Sequence, residues 1–105
     1  MSKWVKVAEV GELESGDRKV IEVEGWFVAV FQVSDNYYAI EDVCTHDDGP
    51  LGDGELDGYE VECPRHGARF DIRTGEALSF PAITPVPRFE VKIEGSDVLI
   101  DLEGN

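Results

Sequence analysis

The sequence predicts an all-β fold, an antiparallel barrel or sandwich carrying a small inserted subdomain. Three observations point there. Short runs of β-favouring residues with two-residue alternation occupy both ends of the chain. No window sustains the 3.6-residue period of a helix, and there is no repeat or low-complexity tract. Between these ends, from Cys44 to about Ile83, the pattern gives way to a stretch dense in Gly, Pro and Asp. At 105 residues the chain suits a single domain, residues 1–105, with a modest core. The framework is expected at about 1–43 and 84–105, and the inserted unit at about 44–83.

The elements follow in order. Near Trp4, Val5 and Val7 alternate with Lys6 as a first strand. Val20-Ile21-Glu22-Val23 leads to a turn at Glu24-Gly25, and residues 26–33 form an unbroken apolar and β-favouring run. Ser34-Asp35-Asn36 interrupts it, so Tyr37-Tyr38-Ala39-Ile40 reads as the return strand of a hairpin. Late in the chain, Phe89, Val91 and Ile93 alternate with Glu90, Lys92 and Glu94. Beyond a Gly95-Ser96 turn, Val98, Ile100 and Leu102 alternate with Leu99 and Asp101. Each of these two strands is expected to bury one face. Inside the insertion, short strands are expected at 59–62 and 69–72, between turns at Gly49-Pro50, Asp53-Gly54, Asp57-Gly58 and Thr74-Gly75. Phe80-Pro81-Ala82-Ile83-Thr84-Pro85 reads as a rigid connector back to the framework.

The chemistry concentrates in two matched clusters. Cys44-Thr45-His46 is followed, after sixteen residues, by Cys63-Pro64-Arg65-His66, and together they use both cysteines and both histidines of the chain. Two thiolates and two imidazoles are the ligand inventory of a Rieske centre, in which histidines replace cysteines on one iron of a two-iron, two-sulfur cluster. Zinc also accepts a Cys2His2 shell, although its usual finger pattern places a Cys pair before a His pair. A Cys44–Cys63 disulfide fits the count but leaves both histidines without a role. The least specific alternative is a buried thiol with two core histidines.

The residues around the ligands narrow the choice. The first cluster continues as Asp47-Asp48-Gly49-Pro50-Leu51-Gly52-Asp53-Gly54, and the second as Gly67-Ala68-Arg69-Phe70-Asp71, with Thr74-Gly75 behind it. With these motifs the chain resembles the Rieske ferredoxin family, over essentially its whole length. The CTH…CPRHG pair carries most of that resemblance. It implies a Rieske-like antiparallel β-barrel with a cluster-binding subdomain and one Rieske 2Fe-2S cluster. Cys44 and Cys63 would hold the inner iron, His46 and His66 the outer iron. The resemblance also implies that two loops deliver these ligands and that the segment from Phe80 to Pro85 covers the cluster as a third. Gly49, Gly67 and Pro64 are expected to matter as backbone, glycine by letting amides approach cluster sulfurs.

Two departures bear on tuning. High-potential members of the family place a serine and a tyrosine where Ala68 and Phe70 stand, and they carry an extra cysteine pair that this chain lacks. Without those hydroxyl donors the reduced cluster gains less stabilisation, so a low potential is implied, as in ferredoxins that serve oxygenases. The missing disulfide suits a reducing cytosol.

Charge limits the partners. Twenty-three acidic residues against nine basic ones give a formal charge of −14, which disfavours nucleic acid and anionic membranes. No apolar run approaches the roughly 20 residues of a membrane span, and the start of the chain does not resemble a signal peptide. A soluble, cytoplasmic monomer is expected. Most carboxylates serve solubility, but Asp47, Asp48 and Asp53, beside the first ligand cluster, are candidates for steering a basic partner. No EF-hand loop or catalytic constellation accompanies them.

The expected role is therefore a one-electron carrier, not an enzyme in itself. It would take electrons from a flavin-containing NAD(P)H reductase and pass them to a non-haem iron oxygenase of the ring-hydroxylating type. A nitrite reductase small subunit, a cluster-assembly ferredoxin and a zinc-stabilised interaction module are the alternatives.

Overall fold

The computed structural model describes residues 2–42, 54–64, 67–80 and 84–103. Its strands are β1 (Trp4–Glu9), β2 (Arg18–Val23), β3 (Trp26–Val33), β4 (Asn36–Glu41), β5 (Leu56–Asp57), β6 (Glu60–Glu62), β7 (Arg69–Asp71), β8 (Arg88–Glu94) and β9 (Asp97–Asp101). No helix occurs among the described residues. Six strands pair antiparallel in the order β1-β9-β8-β4-β3-β2, and β5-β6-β7 form a separate three-stranded sheet. The larger sheet curls into an almost closed barrel. Its two edges approach through Lys3, paired with Glu24, and through Lys19, whose Nζ lies 2.7 Å from Glu12. The fold is thus the all-β architecture expected.

Local chemistry sets the hairpins. Glu24 and Gly25 both take positive φ, 50° and 87°, as a tight two-residue turn requires to match the strand twist between β2 and β3. β3 then explains its own unbroken apolar run. Val28 and Val30 face the barrel interior with Val7, Ala39, Phe89, Val98 and Ile100, while Ala29 and Phe31 face a second core with Val61, Cys63, Ala68, Phe70 and Ile72. A strand covered on both faces has no side on which to alternate polar residues. β4 is shared in the same way, Tyr37 and Ala39 lying in one core and Ile40 in the other, with Tyr38 packed against it. β3 and β4 therefore form a common wall, and the small sheet is its outer cover.

Two expectations of one buried face per strand are met unevenly. On β9, Val98, Ile100 and Leu102 are buried as expected, but Asp101 is buried as well. Its Oδ1 accepts hydrogen bonds from the backbone N–H groups of Lys3 and Glu103, at 2.8 and 3.0 Å, which makes burial of a carboxylate tolerable. On β8, Phe89 is buried but Ile93 is 49% exposed. The cause is topological: β8 pairs with β4 only at Ala39↔Phe89 and Ile40↔Arg88, so its far end is flanked by β9 alone. The first strand extends to Glu9 through a bulge between Lys6 and Ala8, and β5 is an additional short strand.

Candidate metal centre

The small sheet presents the second ligand cluster on the turn between β6 and β7. Glu62 pairs with Arg69, and one residue further the Cys63 N–H donates to the Ala68 carbonyl at 2.6 Å. The Gly67 N–H donates to the Cys63 carbonyl at 2.9 Å and closes the turn. Gly67 has φ +76°, a conformation that favours glycine. Its amide is thus engaged by the Cys63 carbonyl. Cys63 is a free thiol, 1% exposed, packed with Val61, Ala68 and Phe70 from the small sheet and Ala29, Phe31 and Ile40 from the wall. Such a side chain is held in place by its surroundings, as a cluster ligand must be.

Of the four predicted ligands, the structure places Cys63. Cys44, His46 and His66 lie outside the described residues, as do Asp47, Asp48, Gly49 and Asp53. Both roots of the first ligand segment are nevertheless defined. At its start, the Asp42 N–H donates to the Phe27 carbonyl at 2.7 Å. At its end, Gly54 is buried, and its carbonyl accepts a hydrogen bond from Arg18 Nη1, whose guanidinium stands 5.8 Å from the Phe31 ring centroid. The segment leaves from the end of β4, tied there to β3 through Phe27, and returns tied to β2 through Arg18. A buried, free Cys63 thiol packed against β3 and β4 fits a thiolate-ligated cluster.

Other residues support this unit. The chain from Glu76 to Ser79 runs back along β7: the Asp71 N–H donates to the Glu76 carbonyl at 2.9 Å, Phe70 bridges Ala77, the Leu78 N–H donates to the Arg69 carbonyl at 2.7 Å, and the Arg69 N–H donates to Ser79 Oγ at 3.1 Å. Asp71 accepts two hydrogen bonds from the Arg73 guanidinium at 3.0 and 2.9 Å and a third from its N–H at 2.8 Å. Arg73 thereby holds the Asp71 carboxyl below its ordinary pKa. The same guanidinium lies 4.3 Å over the Tyr59 ring, and Tyr59 meets Tyr38 edge-on at 5.8 Å. Burial foremost pushes the Tyr38 hydroxyl pKa up. On the solvent side, Arg69 Nη1 and Nη2 lie 3.4 to 3.6 Å from Asp57, Glu60 and Glu62.

Sequence reasoning did not single out Arg18, Asp71 with Arg73, or Arg69 as supports. The Asp71-x-Arg73 spacing beside a Thr74-Gly75 turn was a readable signal for the second. Arg18 carried none, because its partner lies thirty-six residues away.

Comparison with known proteins decides the family. Residues 3–90 match the Rieske [2Fe-2S] domain. The chain belongs to that family. Its cofactor is a Rieske 2Fe-2S cluster, which sets aside the zinc alternative and the Cys44–Cys63 disulfide. The ferredoxin component of the naphthalene 1,2-dioxygenase system of Pseudomonas aeruginosa is 41% identical, over 95% of this chain and 96% of its own length. The ferredoxin of carbazole 1,9a-dioxygenase from Nocardioides aromaticivorans IC177 superposes on this Rieske domain with a TM-score of 0.89 and 35% identity, covering 94% of this chain and 97% of that one. A chain from a complex of reduced oxygenase and oxidized ferredoxin in carbazole 1,9a-dioxygenase gives a TM-score of 0.89 at 36% identity, covering 93% and 92%. Among the described residues, no helix is long and apolar enough to cross a membrane.

Proposed function

We propose that this Rieske protein is a one-electron carrier that takes electrons from a flavin-containing NAD(P)H reductase and delivers them to a non-haem iron oxygenase of the ring-hydroxylating type. It is the electron-transfer component of such a system rather than its catalytic subunit. The observation that carries the reading is the 41% identity, over 95% of this chain, with a dioxygenase ferredoxin component. All four ligand residues of the CxH…CxxH pattern accompany it. A putative nitrite reductase small subunit shares the fold at 20% identity, which supports the architecture alone.

In this reading Cys44 and Cys63 ligate one iron and His46 and His66 the other, within a cluster-binding unit of about 44–83 set into a framework of about 1–43 and 84–105. The cluster, when bound, accepts and releases single electrons. The chain's own part is to hold the Cys63 thiolate in a dry, packed position and to present an acidic exterior that speeds encounters with basic partners. A soluble protein acting in the cytoplasm as a monomer suits this role.

The test is replacement. Purified holoprotein is added to the reductase and oxygenase of the P. aeruginosa naphthalene 1,2-dioxygenase system in place of their ferredoxin, and NADH-dependent product is measured. Product above the ferredoxin-free background supports the reading. Reduction of the cluster by dithionite with no transfer to the oxygenase counts against it.

A further inference from the structure

The most solvent-exposed large apolar side chain described is Phe80, at 83%. Its place in the fold follows from hydrogen bonds. The segment after Gly75 runs antiparallel to β7, with Ala77 opposite Phe70, the Leu78 N–H on the Arg69 carbonyl, and Ser79 Oγ accepting from the Arg69 N–H. The segment thus runs toward the end of β7 that follows the Cys63–Gly67 turn, and Phe80 comes one residue after Ser79. Leu78, 41% exposed, precedes it on the same segment.

The neighbours of this apolar edge are acidic. Arg69, beside Leu78, faces Asp57, Glu60 and Glu62, so three carboxylates surround one guanidinium and the group is net negative by two. An exposed aromatic with an aliphatic neighbour, bordered by excess negative charge, has the anatomy of an interface: an apolar centre with a charged rim. Isolated exposed apolar residues are ordinary, as Ile93 on the open end of β8 illustrates. Phe80 differs in following a segment that runs toward the predicted ligand turn, the end a partner must approach for electron transfer.

We propose that Phe80, with Leu78 beside it, is the apolar anchor by which the terminal oxygenase docks on this protein. The occupant is an oxygenase surface with an apolar recess and basic residues around it, matched to Phe80 and to the carboxylates about Arg69. The inference rests on the electron-carrier reading above and adds to it the residue that sets docking affinity.

The experiment uses chemically reduced holoprotein and the oxygenase of the P. aeruginosa naphthalene 1,2-dioxygenase system as the acceptor probe. The second-order rate of oxygenase reduction is measured by stopped flow for wild type, Phe80→Ala, Phe80→Leu and a remote control, Ile93→Ala. Phe80→Ala is expected to slow transfer about tenfold, the size of loss typical of a truncated interface anchor. Phe80→Leu should recover part of the rate, and Ile93→Ala should match wild type. Reduction potential and electron paramagnetic resonance spectrum should be unchanged in Phe80→Ala. An unaltered rate in Phe80→Ala overturns the proposal, and so does a slowed rate with a shifted potential, which would make Phe80 a cover for the cluster. Wild type that transfers no electron to the oxygenase instead defeats the carrier reading itself, a result distinct from either.

Discussion

Gly75 and Val86 lie backbone against backbone: the Val86 N–H donates to the Gly75 carbonyl at 2.8 Å, and a Cβ on Gly75 would stand 2.0 Å from the Val86 carbonyl oxygen. This contact joins the end of the small sheet to the chain returning to the barrel. It has no room for any side chain, and φ at Gly75 is +80°.

Gly75→Ala is therefore expected to cost at least about 3 kcal/mol, from left-handed strain plus a displacement that backbone atoms cannot easily absorb. Gly11 supplies the comparison, since its φ of +92° is similar but nothing lies within 4 Å of a Cβ there. Gly11→Ala should cost only about 1 kcal/mol. Denaturant midpoints of the two variants check the difference; equal losses would mean that the Val86 contact yields without cost.

Replacing the ligands tests the site directly. Wild-type protein should contain about two irons and two acid-labile sulfides per chain. Cys44→Ala, His46→Ala, Cys63→Ala and His66→Ala should each lose the Rieske absorption spectrum and most of the iron. Retention of an intact spectrum in any one of them removes that residue from the ligand set.

Ala68 and Phe70 are both fully buried, in the same core as Cys63. Ala68→Ser and Phe70→Tyr should each raise the reduction potential by about 40 mV, the one-electron equivalent of roughly 1 kcal/mol from a hydrogen bond to a cluster sulfur. Each hydroxyl must find that acceptor, because a buried unsatisfied group costs about 1 to 3 kcal/mol of stability. Voltammetry and thermal unfolding of the single variants read both quantities. Lower stability with an unmoved potential would show that the hydroxyls face away from the cluster.

Asp71 carries a pH-dependent contribution. Arg73 depresses its folded-state pKa, so the stabilisation is fully present above the unfolded carboxyl value of about 4 and is lost as pH falls through the folded value. Arg73 is about half exposed, and solvent screening holds the effect to about 1 kcal/mol. Asp71→Asn should therefore be less stable than wild type at pH 7, and the gap should narrow below pH 4. A gap that stays constant from pH 7 to pH 3 would trace the loss to packing instead of charge.

The class of the fold and the chemistry of the centre are legible in residue pattern and type alone. Two-residue alternation on the strand of Val98 and Ile100 needs only one buried face to be readable, and a CxH…CxxH pattern specifies its metal chemistry through residue type. Turn pairs such as Glu24-Gly25 were legible because the conformation they require is local. The rest depends on packing. The run from Val28 to Phe31 could not announce that its two faces serve different cores, because burial on both sides erases alternation. Nor could the pattern at Phe89, Val91 and Ile93 show that β4 would cover only the start of β8. The tie from Arg18 to Gly54, the absence of room at Gly75 and the run of Glu76 to Ser79 along β7 join residues far apart in sequence or depend on how segments pack. Such contacts exist only after the chain has folded, and a one-dimensional pattern carries periodicity and chemical type but not proximity.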